Sequence, residues 1–174
     1  FGSMHHLQRF IVMLGTGHKT NIPVNFTMTS PCRYANVGKK LFMINKLNEI
    51  CRGTFISFLG IEFLTCGEYF IEARMPVDNK LQPMGLLHGG ASLALAETIA
   101  SGGSYLLVDP EKYDVVGLQV SGNHLSSVSE GTLFARADII HRGNKTHVWD
   151  VKIKSDAGKL ISVTRVTMMI IKKK

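Results

Sequence analysis

The sequence predicts an α+β domain in which an antiparallel β-sheet wraps around one long central helix. Three observations carry that prediction. Gly85 to Val108, reading GLLHGGASLALAETIASGGSYLLV, has helical length and only one charge, Glu97. In His147 to Lys154, Trp149, Val151 and Ile153 alternate with Asp150, Lys152 and Lys154, the pattern of a strand with one wet face. The last four strand-like stretches are joined at Ser129-Glu130-Gly131, Gly143-Asn144-Lys145 and Asp156-Ala157-Gly158, short turns that favour antiparallel neighbours.

The central helix comes first because the other elements must cover it. Its composition predicts burial on all sides, and its small residues let neighbouring elements approach closely. A membrane span of about 20 apolar residues fits poorly with four Ser and Thr, two interior glycines and Glu97. At about 100° per residue, Gly90, Glu97, Ser101 and Ser104 share a stripe, with Leu95 and Ile99 opposite. A carboxylate in such a setting is costly to ionise unless paired. Close to the free N–H groups of a helix start, it is placed for proton transfer beside a polarised carbonyl. The plainer alternative is a Glu that reaches solvent at an exposed strip.

Taken in order, residues 1–42 read as an N-terminal extension or leader, and residues 43–174 as the domain. The lead shows Pro, Gly, Asn and Thr without periodicity, and Phe1-Gly2-Ser3-Met4 resembles a cloning remnant. From Phe42 to Cys51, Ile44, Leu47, Ile50 and Cys51 recur at helical spacing, predicting a short amphipathic helix that Gly53 ends. Phe55 to Leu64, broken at Gly60, and Tyr69 to Val77 read as two strands joined in a hairpin at Cys66-Gly67-Glu68. Asp78 to Pro83 is a loop, followed by the helix and a polar turn at Asp109 to Asp114. Val115 to Leu125, Gly131 to His141, His147 to Lys154 and Leu160 to Lys172 complete the strands.

Charge excludes one class of function. The formal charge is +7, but six of the 20 Lys and Arg and none of the 13 Asp and Glu precede Glu49, so the domain itself is nearly neutral. A reader of phosphate backbones needs a basic face, so a nucleic-acid partner is not expected, nor is a membrane one. Three cysteines (Cys32, Cys51, Cys66) form no C-x-x-C pair, which argues against a disulfide framework and fits a reducing, cytoplasmic setting. His141 and His147 lack a third ligand, so no metal is expected.

The segments Met75-Pro76-Val77-Asp78, Gln82-Pro83-Met84-Gly85-Leu86-Leu87-His88-Gly89-Gly90-Ala91-Ser92 and Ala96-Glu97 resemble the acyl-CoA thioesterases of the hotdog superfamily. The similarity is greatest to the branch that hydrolyses aromatic thioesters such as 1,4-dihydroxy-2-naphthoyl-CoA and 4-hydroxybenzoyl-CoA. Val116-Gly117-Leu118, Asn123-His124, His141-Arg142-Gly143 and Val148-Trp149 continue it, from about Met43 to the C-terminus.

The resemblance implies a hotdog fold, a homodimer or homotetramer with active sites shared between protomers, and an acyl-CoA substrate. Coenzyme A enters as part of that substrate, and no other cofactor is implied. Glu97 matches the catalytic carboxylate, as nucleophile or as general base on water. The N–H of Gly89 matches the group that polarises the thioester carbonyl, a role worth about 3 kcal/mol for comparable donors. Gln82 and His88 match residues that bind the carbonyl or position water, and Ser101 a hydroxyl assisting the carboxylate or the leaving thiolate.

For the substrate and its coenzyme A portion the resemblance points to Gly90, to Asn123 and His124, and to the Arg142-Gly143-Asn144-Lys145 turn. The sequence departs from the pattern at Ser126, where Arg is usual, and at Asn144-Lys145-Thr146. Plainer roles exist: Gln82 as an exposed loop amide, His88 as a helix cap, Ser101 as a packing residue. Two rival functions share these features, an acyl-CoA hydratase or dehydratase and a non-catalytic module that binds CoA esters.

Overall fold

The computed structural model describes residues 37–174. Their order is α1 (Val37–Ile50), α2 (Phe55–Phe58), β1 (Glu62–Cys66), β2 (Phe70–Pro76), α3 (Gly89–Tyr105), β3 (Tyr113–His124), β4 (Thr132–Arg142), β5 (Thr146–Ser155) and β6 (Leu160–Lys172). The leader assigned to residues 1–42 falls almost wholly outside the described residues. Its last six lie in the first turns of α1, which begins earlier than Phe42.

Six antiparallel strands form one sheet in the order β1-β2-β4-β5-β6-β3. The alternation read in β5 is real: Trp149, Val151 and Ile153 are buried, Lys152 and Lys154 exposed. The inner faces of the strands carry Ile71, Ala73, Met75, Leu133, Ala135, Ala137 and Val166, and α3 fills the concave side against β2 through β6. Narrow residues set how deeply the helix lies. At Gly103 a Cβ would meet the Trp149 ring at 2.7 Å, so an indole occupies space that any side chain would claim. The Trp149 Nε1–H donates to the Ser104 hydroxyl at 2.8 Å, satisfying both polar groups in the dry core.

Three sequence expectations are corrected. Phe55 to Leu64 is not one strand. Phe55–Phe58 is a helical turn, because Thr54 caps it by accepting from the Ile56 N–H, and Gly60 (φ +67°) then turns the chain into β1. The β3–β4 connection does not join neighbours either. Residues 125–131 carry the chain across the end of the sheet, so β4 pairs with β2 and β3 with β6. That crossing is held by the Leu125 N–H on the Ile161 carbonyl and the Leu87 N–H on the Val128 carbonyl, both 2.8 Å.

Third, α3 is not buried all round. Leu95, Ala96, Ile99 and Ala100 are buried, whereas Gly90 and Glu97 are exposed. The reason is topological: β3 is an edge strand, and the flank of α3 over it has no sheet beyond. β3 itself shows residues such as Val116 and Leu118 to solvent on that edge. No helix among the described residues is long and apolar enough to cross a membrane.

Candidate active site

The N-terminal end of α3 is built by three residues in succession. His88 is the N-cap: its backbone is extended (φ −68°, ψ 129°), and its Nδ1 accepts from the Gly90 N–H at 2.9 Å. The Ala91 N–H is taken by the His88 carbonyl, also at 2.9 Å. The Gly89 N–H carries no hydrogen bond among the described residues. A helix start concentrates partial positive charge on such donors, so the unengaged one is where an oxyanion gains most. With Nδ1 accepting, the neutral His88 ring carries its proton on Nε2, leaving a second donor at the same place.

The loop before the helix is tied in place. The Gln82 N–H donates to the Leu86 carbonyl and the Gly85 N–H to the Gln82 carbonyl, a tight turn in which Gly85 has φ +76°. The His88 N–H donates to the Lys80 carbonyl at 2.8 Å, joining loop to helix. Gln82, Gly89, Ser92 and His124 then border one cleft of about 400 Å³, completed by residues 125–128 and Ile161. The His124 ring lies so close over Gly89 that a Cβ there would stand 2.7 Å from Nε2. A side chain at this position would push the His124 ring aside, so glycine lets the ring lie over the helix start.

Glu97 stands further along the same flank. Its carboxylate rests against the Cα of Gly117 in β3, where any side chain would displace it. At Gly117 the β3–β6 register shifts and Leu118 is left unpaired, a bulge opposite the carboxylate. Bulges of this kind re-aim neighbouring groups and gather at functional sites. Gly117 was part of the family resemblance but had no role assigned; a glycine inside a strand pattern was the available signal. Ser101 follows Glu97 by one turn and is half-buried. Ser104, placed on the same stripe by sequence, is buried and bound to Trp149, so the stripe leaves the surface between Ser101 and Ser104.

The remaining predicted residues are not gathered here. Asn123 and His124 are adjacent in β3 and face opposite sides of the sheet. Asn123 opens onto an outer groove with Gln119, Ser121 and Arg165. Arg142, Gly143 and Asn144 border a separate cleft at the C-terminal end of α3, with Tyr113 and His147. There the Arg142 guanidinium donates to the Leu107 carbonyl at 3.0 Å, closing the helix end. Asn144 and Lys145 are exposed. His147 is buried, with an unpartnered Nδ1. Its burial, aided by the neighbouring Arg142 and His141 charges, pushes its pKa down to about 4. No group of three or more metal-ligating side chains occurs among the described residues.

An antiparallel sheet wrapped on one long helix, with an unengaged donor at the helix start, is the arrangement expected of a hotdog-type hydrolase, and comparison with known proteins supports that class. Residues 84–162 match the sequence profile described as the thioesterase superfamily. The 1,4-dihydroxy-2-naphthoyl-CoA hydrolase of Escherichia coli is 38% identical over 136 residues, covering 78% of this chain and 99% of that protein. Among solved structures, a mutant thioesterase from Pseudomonas aeruginosa superposes with a TM-score of 0.73 at 41% identity, covering 75% of this chain and 94% of that one. A Staphylococcus aureus thioesterase, solved with a glutamine replaced by alanine, gives a TM-score of 0.65 at 43% identity over 67% of this chain and 97% of that one. The chain belongs to the thioesterase (hotdog) superfamily and is a hydrolase of that class.

Proposed function

We propose that this enzyme hydrolyses an aromatic or related acyl-CoA thioester to the free acid and coenzyme A, at a site shared by two protomers. The observation that carries the reading is the unengaged Gly89 N–H at the start of α3, bordered by Gln82 and His124. This donor and the helix dipole stabilise the oxygen of a carbonyl under attack. Glu97 either attacks the carbonyl carbon or takes a proton from the water that does. The C–S bond then breaks. Where Glu97 is the base, the proton it took from water goes to the leaving thiolate. Where Glu97 is the nucleophile, the acyl group stays on it as an anhydride that water hydrolyses, which restores the carboxylate and supplies the thiol's proton. On this reading His88 Nε2–H and the Gln82 amide hold the carbonyl or the water, and the Ser101 hydroxyl steadies the carboxylate.

Helix geometry supports the sharing. Glu97 lies eight residues beyond Gly89, or about 12 Å along the axis at 1.5 Å per residue. One chain's carboxylate is therefore too far from a carbonyl held by its own Gly89. The edge of β3 is open, and a twofold axis through its middle would carry each Glu97 towards the other chain's Gly89. A Staphylococcus aureus relative has been crystallised with the glutamine or a glutamate changed to alanine, and the two lie at the same separation in sequence as Gln82 and Glu97. The CoA arm would leave along the cleft lined by Ser126 and Ser127. The exposed Asn144 and Lys145, with Asn123, remain candidates for its phosphate end.

Thiol release from a panel of acyl-CoA thioesters tests the activity, and its absence across the panel would remove the reading. Complementation tests the sharing. Gln82→Ala and Glu97→Ala chains, each nearly inactive alone, should regain about a quarter of wild-type turnover when co-expressed in equal amounts, because mixed dimers keep one intact site. No recovery would confine each site to one chain.

A further inference from the structure

A carbonyl held on the Gly89 N–H has two substituents, and two spaces open beside the start of α3. The first is the cleft of Gln82, Ser92 and His124, whose border includes Ser126 and Ser127. The second, about 420 Å³, opens beside His88, Gly90, Ala91 and Ala94 of the same helix start. Its outer wall is α2, with Leu59 and Leu81 flanking and the Asp78-Asn79-Lys80 segment also bordering it. The small residues of α3 leave it room, and its volume is within the roughly 300–1,000 Å³ range of small-molecule sites.

The wall is unusual. Phe55 and Phe58 are 65% and 81% exposed, and their rings stack with centroids 6.2 Å apart at 17°. Two solvent-facing aromatic rings on a four-residue helix with no buried residue contribute little to the fold. Yet the turn that presents them is well secured. The Thr54 hydroxyl donates to the Cys51 carbonyl at 2.6 Å, and the Ser57 hydroxyl to the Thr54 carbonyl at 2.9 Å. Exposed apolar area held in a fixed geometry beside a site is the mark of a surface meant to be covered.

Resting on the hydrolase reading above, we infer that this pocket receives an aromatic acyl group and that Phe55 and Phe58 are specificity-determining residues. The two arms of the substrate sort by chemistry. The amide-rich pantetheine arm matches the cleft that offers hydroxyls and an amide. A planar apolar ring matches the space walled by two rings, where offset or edge-on contacts with Phe add to simple burial. The junction of the arms is the carbonyl, and the residues next to each other at the helix start border both spaces, Gly89 the first and His88 and Gly90 the second.

The test compares benzoyl-CoA with butyryl-CoA on the full chain, for wild type, Phe58→Ala, Phe55→Ala and Phe58→Tyr. The inference expects each alanine variant to lower the benzoyl-over-butyryl ratio of kcat/KM by about 10-fold, chiefly through KM, and Phe58→Tyr to retain it. A parallel fall for both substrates, or no change, overturns it. So does an altered oligomeric mass in Phe58→Ala with the ratio intact, since the rings would then serve a subunit contact. Calorimetric binding of benzoyl-CoA against free CoA reads the pocket without turnover. A wild-type chain that hydrolyses neither ester removes the hydrolase reading, and the pocket then stands or falls on whether Phe58→Ala abolishes the benzoyl increment.

Discussion

The two ends of α3 differ in one respect that explains the molecule. Towards the C-terminal end the helix is tied into the fold: Ser104 bonds Trp149, the Leu107 carbonyl accepts from Arg142, and Gly103 lies under the indole, with the His147 Nδ1 nearby left unpartnered. At the N-terminal end the Gly89 N–H is left without a partner, and two clefts open around it. Folding alone would favour satisfying both ends alike. The closed end fixes the helix in the sheet, and on the function proposed above the open end presents a donor that need not rearrange when a carbonyl arrives.

Substitutions should separate the two ends. The largest effect is expected from Glu97→Gln, which should reduce thiol release by at least about 10²-fold while leaving the melting temperature unchanged, because the side chain is exposed and holds nothing else together. A loss of stability matching the loss of activity would move Glu97 into the structural end of the comparison. Trp149→Phe should do the reverse. It removes the indole donor and leaves the Ser104 hydroxyl buried without its partner, costing about 2–3 kcal/mol in urea unfolding followed by circular dichroism. Turnover per folded molecule should be preserved.

His147 sharpens the comparison through pH. Burial holds it at about 4 in the folded chain, against 6.5 ordinarily. The unfolded chain therefore binds the proton first, and stability falls as pH drops through 6.5 towards 4. Between pH 7 and pH 5 the loss is on the order of 2 kcal/mol. His147→Asn should flatten that slope, read as melting temperature against pH. Activity normalised to folded protein should show the same pH profile in both chains. The smallest effect is expected from Arg165→Ala on the outer sheet face. Its pairing with Asp150 is solvent-exposed, and neither thermal melting nor turnover should change measurably.

Much of this architecture is legible in the sequence because it rests on periodicity. β5 alternates cleanly between Trp149 and Lys154, and the apolar length of α3 requires that a sheet cover it. What was illegible was one local cap that composition hides and, elsewhere, partners distant in sequence. The residues Phe-Ile-Ser-Phe favour a strand by composition, but the Thr54 hydroxyl caps them into a turn. Glu97 and Ser104 lie on one helical stripe, yet one is exposed and the other buried, because the sheet edge passes between them. At the site, the His88-to-Glu97 segment could be read because its residues are local. The covering of Gly89 by His124, and of Gly117 by Glu97, joins segments that no spacing rule connects. The Arg142–Lys145 turn was assigned to the coenzyme A portion by resemblance alone, and no spacing rule foresees that Arg142 reaches back to the Leu107 carbonyl.

Trp149 is the one tryptophan of the chain, and its indole is enclosed at the closed end of the helix. Its emission should be blue-shifted in the native protein and move red as α3 lifts from the strands. This gives an intrinsic optical gauge of helix seating, far enough from Gly89 that substrate can bind without quenching it directly.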